Sequence, residues 1–179
     1  MATTTHLLTW QEFEQLPDEH AEILEGELIT LPPPKSKHSR LAFKIAVLLL
    51  PLQEKLVGEA SCEAGYKLSE NPPSWIQPDA SFLKMDRVRA TKPDGYYLGA
   101  PELAVEIGSP SETPKTLRRK VDLLLAAGGL AVWVVYPETR QIHVYLPDGT
   151  SSIRGIHDML TLPELLPGWE LPIAKIFAD

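Results

Sequence analysis

Asp79, Glu106 and Lys120 are the residues whose types and placement can do chemistry together. Asp79 follows a proline, in Pro78-Asp79-Ala80, where Ile76, Ala80 and Phe82 alternate with Gln77, Asp79 and Ser81. Alternation sends successive side chains to opposite faces of a strand, so Asp79 is expected on the face away from the core side chains. Leu103, Val105 and Ile107 alternate in the same way with Ala104 and Glu106, which puts a second carboxylate on the other face of a second strand. Two carboxylates converging on one point suit Mg²⁺ or Mn²⁺, which take oxygen ligands and keep waters for a substrate phosphate. An ammonium group beside them can lower the pKa of a water or stabilise extra charge in a phosphoryl transition state. From spacing alone this is a weak case, because strands with one outward carboxylate are common and a lysine at a stripe's edge can snorkel to water.

Lys120 belongs to a helix expected over 114–127, capped by Thr113, opened by Pro114 and stopped by Gly128-Gly129. At about 100° per residue, Leu117, Val121 and Leu124 define its buried stripe and Lys120 falls at the stripe's edge. Lys115, Arg118 and Arg119 project roughly 100° or more from the stripe centre and read as surface charges. The run 130–136 is continuously apolar, the mark of a strand buried on both faces. Strand, helix and buried strand over 102–136 form a crossover unit, whose helix packs back over the sheet that carries Glu106.

The flanking segments supply the remaining layers. Thr9 and Glu12 match a capping box for a short helix ending before Pro17, and 21–31 reads as a hairpin about Glu25-Gly26. A longer helix is expected over 37–56 with Ser36 as N-cap and Leu41, Ile45, Leu48, Leu49, Leu52 and Leu56 on one face. Pro51 should kink or break it near 47–51. Two short strands are expected over 59–69, a turn at Asn71-Pro72-Pro73, and then one strand over 75–84 in which Pro78 marks an edge, a strand start or a bulge. Residues 141–146 pair back on 130–136, and a short strand, a turn at Pro167-Gly168 and a last helix after Pro172 complete the chain.

With 179 residues, 44% hydrophobic and 23% charged, the chain suits one α/β domain over 1–179 with a real core. It has no apolar run of about 18 residues and its first residues lack a signal-peptide profile, so a cytoplasmic protein with no membrane contact is expected. Cys62, the lone cysteine, offers neither an internal disulfide nor a thiolate zinc cluster and is expected to be a buried or half-buried thiol. A net charge of -7 excludes a protein that coats nucleic acid by bulk charge. Local basic patches remain, at Lys35, Lys37, His38 and Arg40 and at Lys84, Arg87, Arg89 and Lys92, although such runs are usually solvated surface. No phosphate-binding P-loop or dinucleotide glycine fingerprint is present.

The segments Glu22-Ile23-Leu24-Glu25-Gly26-Glu27-Leu28, Pro78-Asp79-Ala80, Pro101-Glu102-Leu103-Ala104-Val105-Glu106-Ile107-Gly108-Ser109-Pro110-Ser111 and Leu117-Arg118-Arg119-Lys120 resemble, in order and spacing, the Uma-type (Uma two) restriction-endonuclease family. The stretch from Ala127-Gly128-Gly129 to Tyr136-Pro137 resembles that family's glycine turn and buried strand. The resemblance covers nearly the whole chain. It implies a restriction-endonuclease-like fold, a mixed central sheet flanked by helices, and the active site of the PD-(D/E)xK nuclease superfamily. Asp79 then matches the Asp of the PD element and Glu106 the second acid. The usual lysine two residues after that acid is Gly108 here, and the family pattern offers a helix lysine instead, which is Lys120.

On this reading the protein is an Mg²⁺- or Mn²⁺-dependent endonuclease acting on DNA, with Asp79 and Glu106 as metal ligands, and Asp79, Glu106 and Lys120 as the catalytic residues. A homodimer is the natural arrangement for cutting both strands of a duplex. Two alternatives belong to other classes: a non-catalytic nucleic-acid or protein-binding module on the same fold, and a metal-dependent hydrolase of small phosphate esters, which the acidic charge would suit. His38 and Glu22 are accessory candidates, by the same resemblance. Each has a plain alternative, a solvent-facing histidine at a helix start and an outward glutamate on a hairpin. Trp133 and Tyr136 read as core, and Ser111 as a brace for the helix start rather than a nucleophile.

Overall fold

The computed structural model describes residues 7–16, 21–30, 33–55, 58–109 and 112–178. Its opening follows the local signals: the Thr9 hydroxyl accepts the Glu12 N–H while the Glu12 carboxylate accepts the Thr9 N–H, and this capping box starts helix α1, Trp10–Glu14. Strands β1 (Ala21–Leu24) and β2 (Glu27–Thr30) form the expected hairpin, with Glu25 and Gly26 at positive φ in the turn. In helix α2, Ser36–Glu54, Lys35 rather than Ser36 is the N-cap and makes no side-chain cap bond, and of the expected kink or break at Pro51 the break does not occur, the helix continuing through it. Pro51 and Val47 lie on the exposed face, so water can solvate the Val47 carbonyl that has lost its donor.

The expected pair of short strands follows as β3, Gly58–Ser61, and β4, Tyr66–Glu70. Cys62, in the turn between them, is exposed rather than buried. The single strand expected over 75–84 is two, β5 (Pro73–Ile76) and β6 (Ala80–Lys84), broken at Gln77-Pro78-Asp79. At this break the chain leaves one sheet and enters another. Pro78 has no N–H to give a ladder, so the break falls where pairing is weakest. Helix α3 (Met85–Ala90) and strand β7 (Tyr97–Leu98) lead to β8 (Leu103–Ile107), the strand of Glu106.

Helix α4, Pro114–Ala126, is capped by Thr113, whose hydroxyl accepts the Thr116 N–H at 3.1 Å. Gly128, at φ +102°, ends it: its N–H bonds to Leu125 O and that of Gly129 to Leu124 O, a Schellman closure. Strand β9 (Ala131–Tyr136) then pairs parallel to β8, completing the crossover. Strands β10 (Gln141–Tyr145), β11 (Ser151–Arg154), β12 (Met159–Thr161) and β13 (Glu170–Pro172) precede helix α5, Ile173–Phe177.

The strands form a five-stranded sheet, β2-β1-β5-β4-β7, a mixed six-stranded sheet, β11-β10-β9-β8-β6-β3, and the pair β12-β13. Every residue of β8 is buried, so both faces of the larger sheet are covered. On one face Leu103, Val105, Ile107 and Trp133 pack with Ile45, Leu49 and Leu52 of α2 and with Ile173 and Ile176 of α5. On the other, Ala104, Val132 and Val134 pack with Leu117, Val121 and Leu124 of α4 and with Leu24 and Ile76 of the smaller sheet. Trp133 is fully buried and Tyr136 half-buried. Among the described residues no helix is long and apolar enough to cross a membrane. Residues Leu31, Leu56 and Ser111 lie outside the described ones.

Candidate active site

Strands β6 and β8 are antiparallel neighbours with Ala80 opposite Val105, so Asp79, immediately before β6, lies beside the end of β8 that carries Glu106 and Ile107. Glu106, alternating with Val105 and Ile107, faces the α4 side. Asp79 is not inside a single strand over 75–84, as its alternation suggested, but at the corner between β5 and β6. There Oδ2 accepts the Ile107 N–H at 2.6 Å, and Oδ1 lies 2.7 Å from His38 Nε2. His38 comes from the first turn of α2, so the solvent-facing alternative for it does not hold.

Glu106 is 3% exposed, and its Oε2 accepts from Lys120 Nζ at 2.5 Å. Lys120, expected at the edge of the α4 stripe, is itself 3% exposed, because the smaller sheet closes over that edge. Glu22 is the largest correction to the outward-hairpin alternative. Strand β1 lies inside the five-stranded sheet, paired with both β2 and β5, and all four of its residues are buried. Glu22 Oε1 accepts the Gln77 N–H at 3.0 Å, while Oε2 sits 3.1 Å from Lys120 Nζ. The sequence reading missed Glu112, whose Oε1 is 3.8 Å from Lys120 Nζ. Its place just before a helix N-terminus reads as a dipole-favoured acid, and spacing does not separate that role from membership of a site.

The charges do not balance. Four carboxyl groups, of Glu22, Asp79, Glu106 and Glu112, gather around one ammonium and one imidazole. Burial pushes the Glu106 carboxyl well above the usual range, Lys120 pulls it back, and Glu22, Asp79 and Glu112 push it up again. Burial also works against the Lys120 ammonium, yet Glu106, Glu22 and Glu112 outweigh it and hold its pKa far above that of an ordinary lysine. The Glu112 carboxyl is raised, chiefly by burial. His38 is raised by its hydrogen bond to Asp79, against partial burial.

Glu106 Oε1, Glu22 Oε2 and Glu112 Oε1 are buried without a hydrogen-bond partner, the last two having only the shared Lys120 ammonium at 3.1 and 3.8 Å. Buried anionic oxygens left over in this way are the environment a divalent cation stabilises. Among the described residues, no three His, Cys, Asp or Glu side chains converge tightly enough to hold a metal by themselves. The side chains of Asp79 and His38 are 19% and 22% exposed against 4% for both Glu106 and Lys120, so the cluster opens to solvent on the His38 side.

Of the remaining charges, Arg118 pairs with Asp122 on the surface of α4. Arg119 is no free surface charge: its guanidinium holds Glu25, Glu27 and Leu24 O of the β1–β2 hairpin. Arg87, in the second basic cluster, is bonded to Glu102, Ala100 O and Leu98 O, which makes it structural.

The fold matches a solved crystal structure of a "putative nuclease belonging to DUF820" from Anabaena variabilis, with a TM-score of 0.83 at 22% identity over 95% of this chain and 97% of that one. The restriction-endonuclease-like architecture expected from the sequence is thus the one observed. No curated protein matches the chain. A family model, "Uma2: Putative restriction endonuclease", matches residues 10–174, and this coverage supports a nuclease function: the chain belongs to the Uma2 family.

Proposed function

We propose that the protein is a divalent-metal-dependent endonuclease that hydrolyses phosphodiester bonds in DNA, with a PD-(D/E)xK site whose lysine has moved to helix α4. The observation that carries this reading is the juxtaposition of Asp79, immediately before β6 and bonded to the Ile107 N–H, with Glu106 on the adjacent strand β8, beside a buried lysine, in a cluster with more carboxylates than cations. Asp79 and Glu106 would hold Mg²⁺ or Mn²⁺. When bound, the ion supplies Lewis-acid stabilisation of charge at the scissile phosphate.

The chain's own groups do the rest. His38 and the Ile107 N–H fix the Asp79 carboxylate. The Lys120 ammonium, kept charged by its neighbours, stabilises negative charge developing on the phosphate and orients the attacking water. Burial of Glu106 and Lys120 strengthens both effects by excluding bulk solvent. Lys35, Lys37 and Arg40, near His38 in sequence, are exposed, with Lys37 paired to Glu138 at 3.0 Å, and supply local basic charge for a phosphate backbone on an acidic protein. A cytoplasmic homodimer that cuts both strands of a duplex completes the proposal.

Mn²⁺ binding followed by calorimetry tests the metal site without needing a substrate. One site per chain is expected in the parent, and a large loss of affinity in Glu106→Ala and Asp79→Ala. Undiminished binding in both variants would move the ion elsewhere.

A further inference from the structure

We propose that Glu22 is a positioning residue for Lys120, the counter-ion that keeps the ammonium in the site while Glu106 is engaged with a divalent ion. The proposal rests on the reading of Lys120 as the catalytic ammonium.

The two oxygens of Glu22 have separate tasks. Oε1 accepts the Gln77 N–H and ties β1 to the corner that delivers Asp79. A neutral amide oxygen would serve there equally well. Oε2 makes no hydrogen bond and lies 3.1 Å from Lys120 Nζ. The side chain of Glu22 is 1% exposed, and burying an anion is costly unless a cation answers it. Lys120 is the cation in reach, so the ammonium is the reason position 22 carries a charge.

Glu106 is the nearest partner of Lys120, but in the proposed site it is also a ligand of the metal ion. Once its charge turns to that ion, the ammonium stands beside a like charge and is repelled. Glu112 is a weaker anchor, at 3.8 Å and on a loop. Glu22 is held on the opposite sheet, and α4 grips its hairpin twice. Arg119 takes Leu24 O, Glu25 and Glu27 from outside, and Lys120 takes Glu22 from inside. Two consecutive helix residues thus fix the distance between Glu22 and the ammonium.

Glu22→Gln keeps the acceptor for Gln77 and removes the anion. With supercoiled plasmid and Mg²⁺, kcat is expected to fall about 10- to 100-fold, the usual effect of losing a group that orients a site residue, with KM for DNA unchanged. Glu22→Asp, which keeps the charge, should retain more of kcat. In metal-free protein, the losses in urea midpoint of Glu22→Gln and Lys120→Met should be non-additive, the double variant losing less than the sum. A parental kcat in Glu22→Gln, equal kcat losses in the Gln and Asp variants, additive midpoint losses or a Glu22→Gln chain that does not fold would each overturn the proposal. Should the parent cut no DNA, the nuclease reading fails, and the metal-free cycle alone decides the Glu22–Lys120 relationship.

Discussion

Lys120 Nζ lies 2.5 Å from Glu106 Oε2 in the interior, although the two residues stand 14 positions apart on a helix and a strand. The crossover brings them together: β8 runs into α4, and α4 must return over β8 for β9 to pair beside it in parallel.

Removing Lys120 should cost both turnover and stability. Lys120→Ala leaves Glu106 and Glu22 buried without their cation, and breaking a buried pair from one side costs about 3–5 kcal/mol. Urea unfolding measures that loss, and plasmid cleavage by whatever remains folded measures the turnover. Lys120→Arg should not restore the rate, because a planar guanidinium does not fit a gap shaped around an ammonium.

Asp79→Ala should destabilise rather than relieve crowding among the carboxylates. Asp79 Oδ2 is the acceptor of the buried Ile107 N–H, and stranding such a donor costs about 1–3 kcal/mol. Asp79→Asn, which keeps an acceptor, should lose less in the same denaturation measurement while losing Mg²⁺-dependent cleavage as fully. Equal stability of parent and Ala variant would show that the Ile107 bond contributes nothing.

The His38–Asp79 contact gives the metal-free protein a pH dependence of defined sign. Because the hydrogen bond to Asp79 raises His38 above its ordinary 6.5, its stabilisation is fully present below the unfolded value and is lost as pH rises through the raised folded one. In chelator, the stability difference between parent and His38→Gln should therefore be largest near about pH 6 and shrink toward about pH 8. A difference that stays flat across that window contradicts the ion pair.

Arg119→Met should loosen the β1–β2 hairpin. Its carboxylate partners are nearly half exposed, so solvent screening limits the loss to about 1 kcal/mol. Hydrogen exchange should be faster at Ile23 and Leu28 than in the parent, with α2 unchanged. No change at the hairpin would mean that packing alone seats it.

Local signals read well where one residue decides an element. Thr9 and Glu12 specify the start of α1, Thr113 and Gly128 bound α4, and the alternation through Leu103, Val105 and Ile107 places Glu106 on the α4 side. The stripe of Leu117, Val121 and Leu124 carries Lys120 inward. What did not read was set by neighbours distant in the chain. The break at Gln77-Pro78-Asp79 looks like continued alternation because its two halves belong to different sheets, each burying a strand on both faces. Glu22 is polar on a hairpin, and only the closure of β5 and α4 around β1 turns it into a buried anion. Pro51 signals a kink or a break in α2, and of these the break is avoided because that face is exposed.

Cleavage of supercoiled plasmid by the parent, Asp79→Ala and Glu106→Ala chains, each in Mg²⁺, in Mn²⁺ and in chelator, tests the proposed nuclease most directly. Nicking or linearisation by the parent with either ion, none in chelator, and none by folded variants under any condition is the expected result. Parental rates in both variants, or cleavage that persists in chelator, would contradict a metal site built on Asp79 and Glu106.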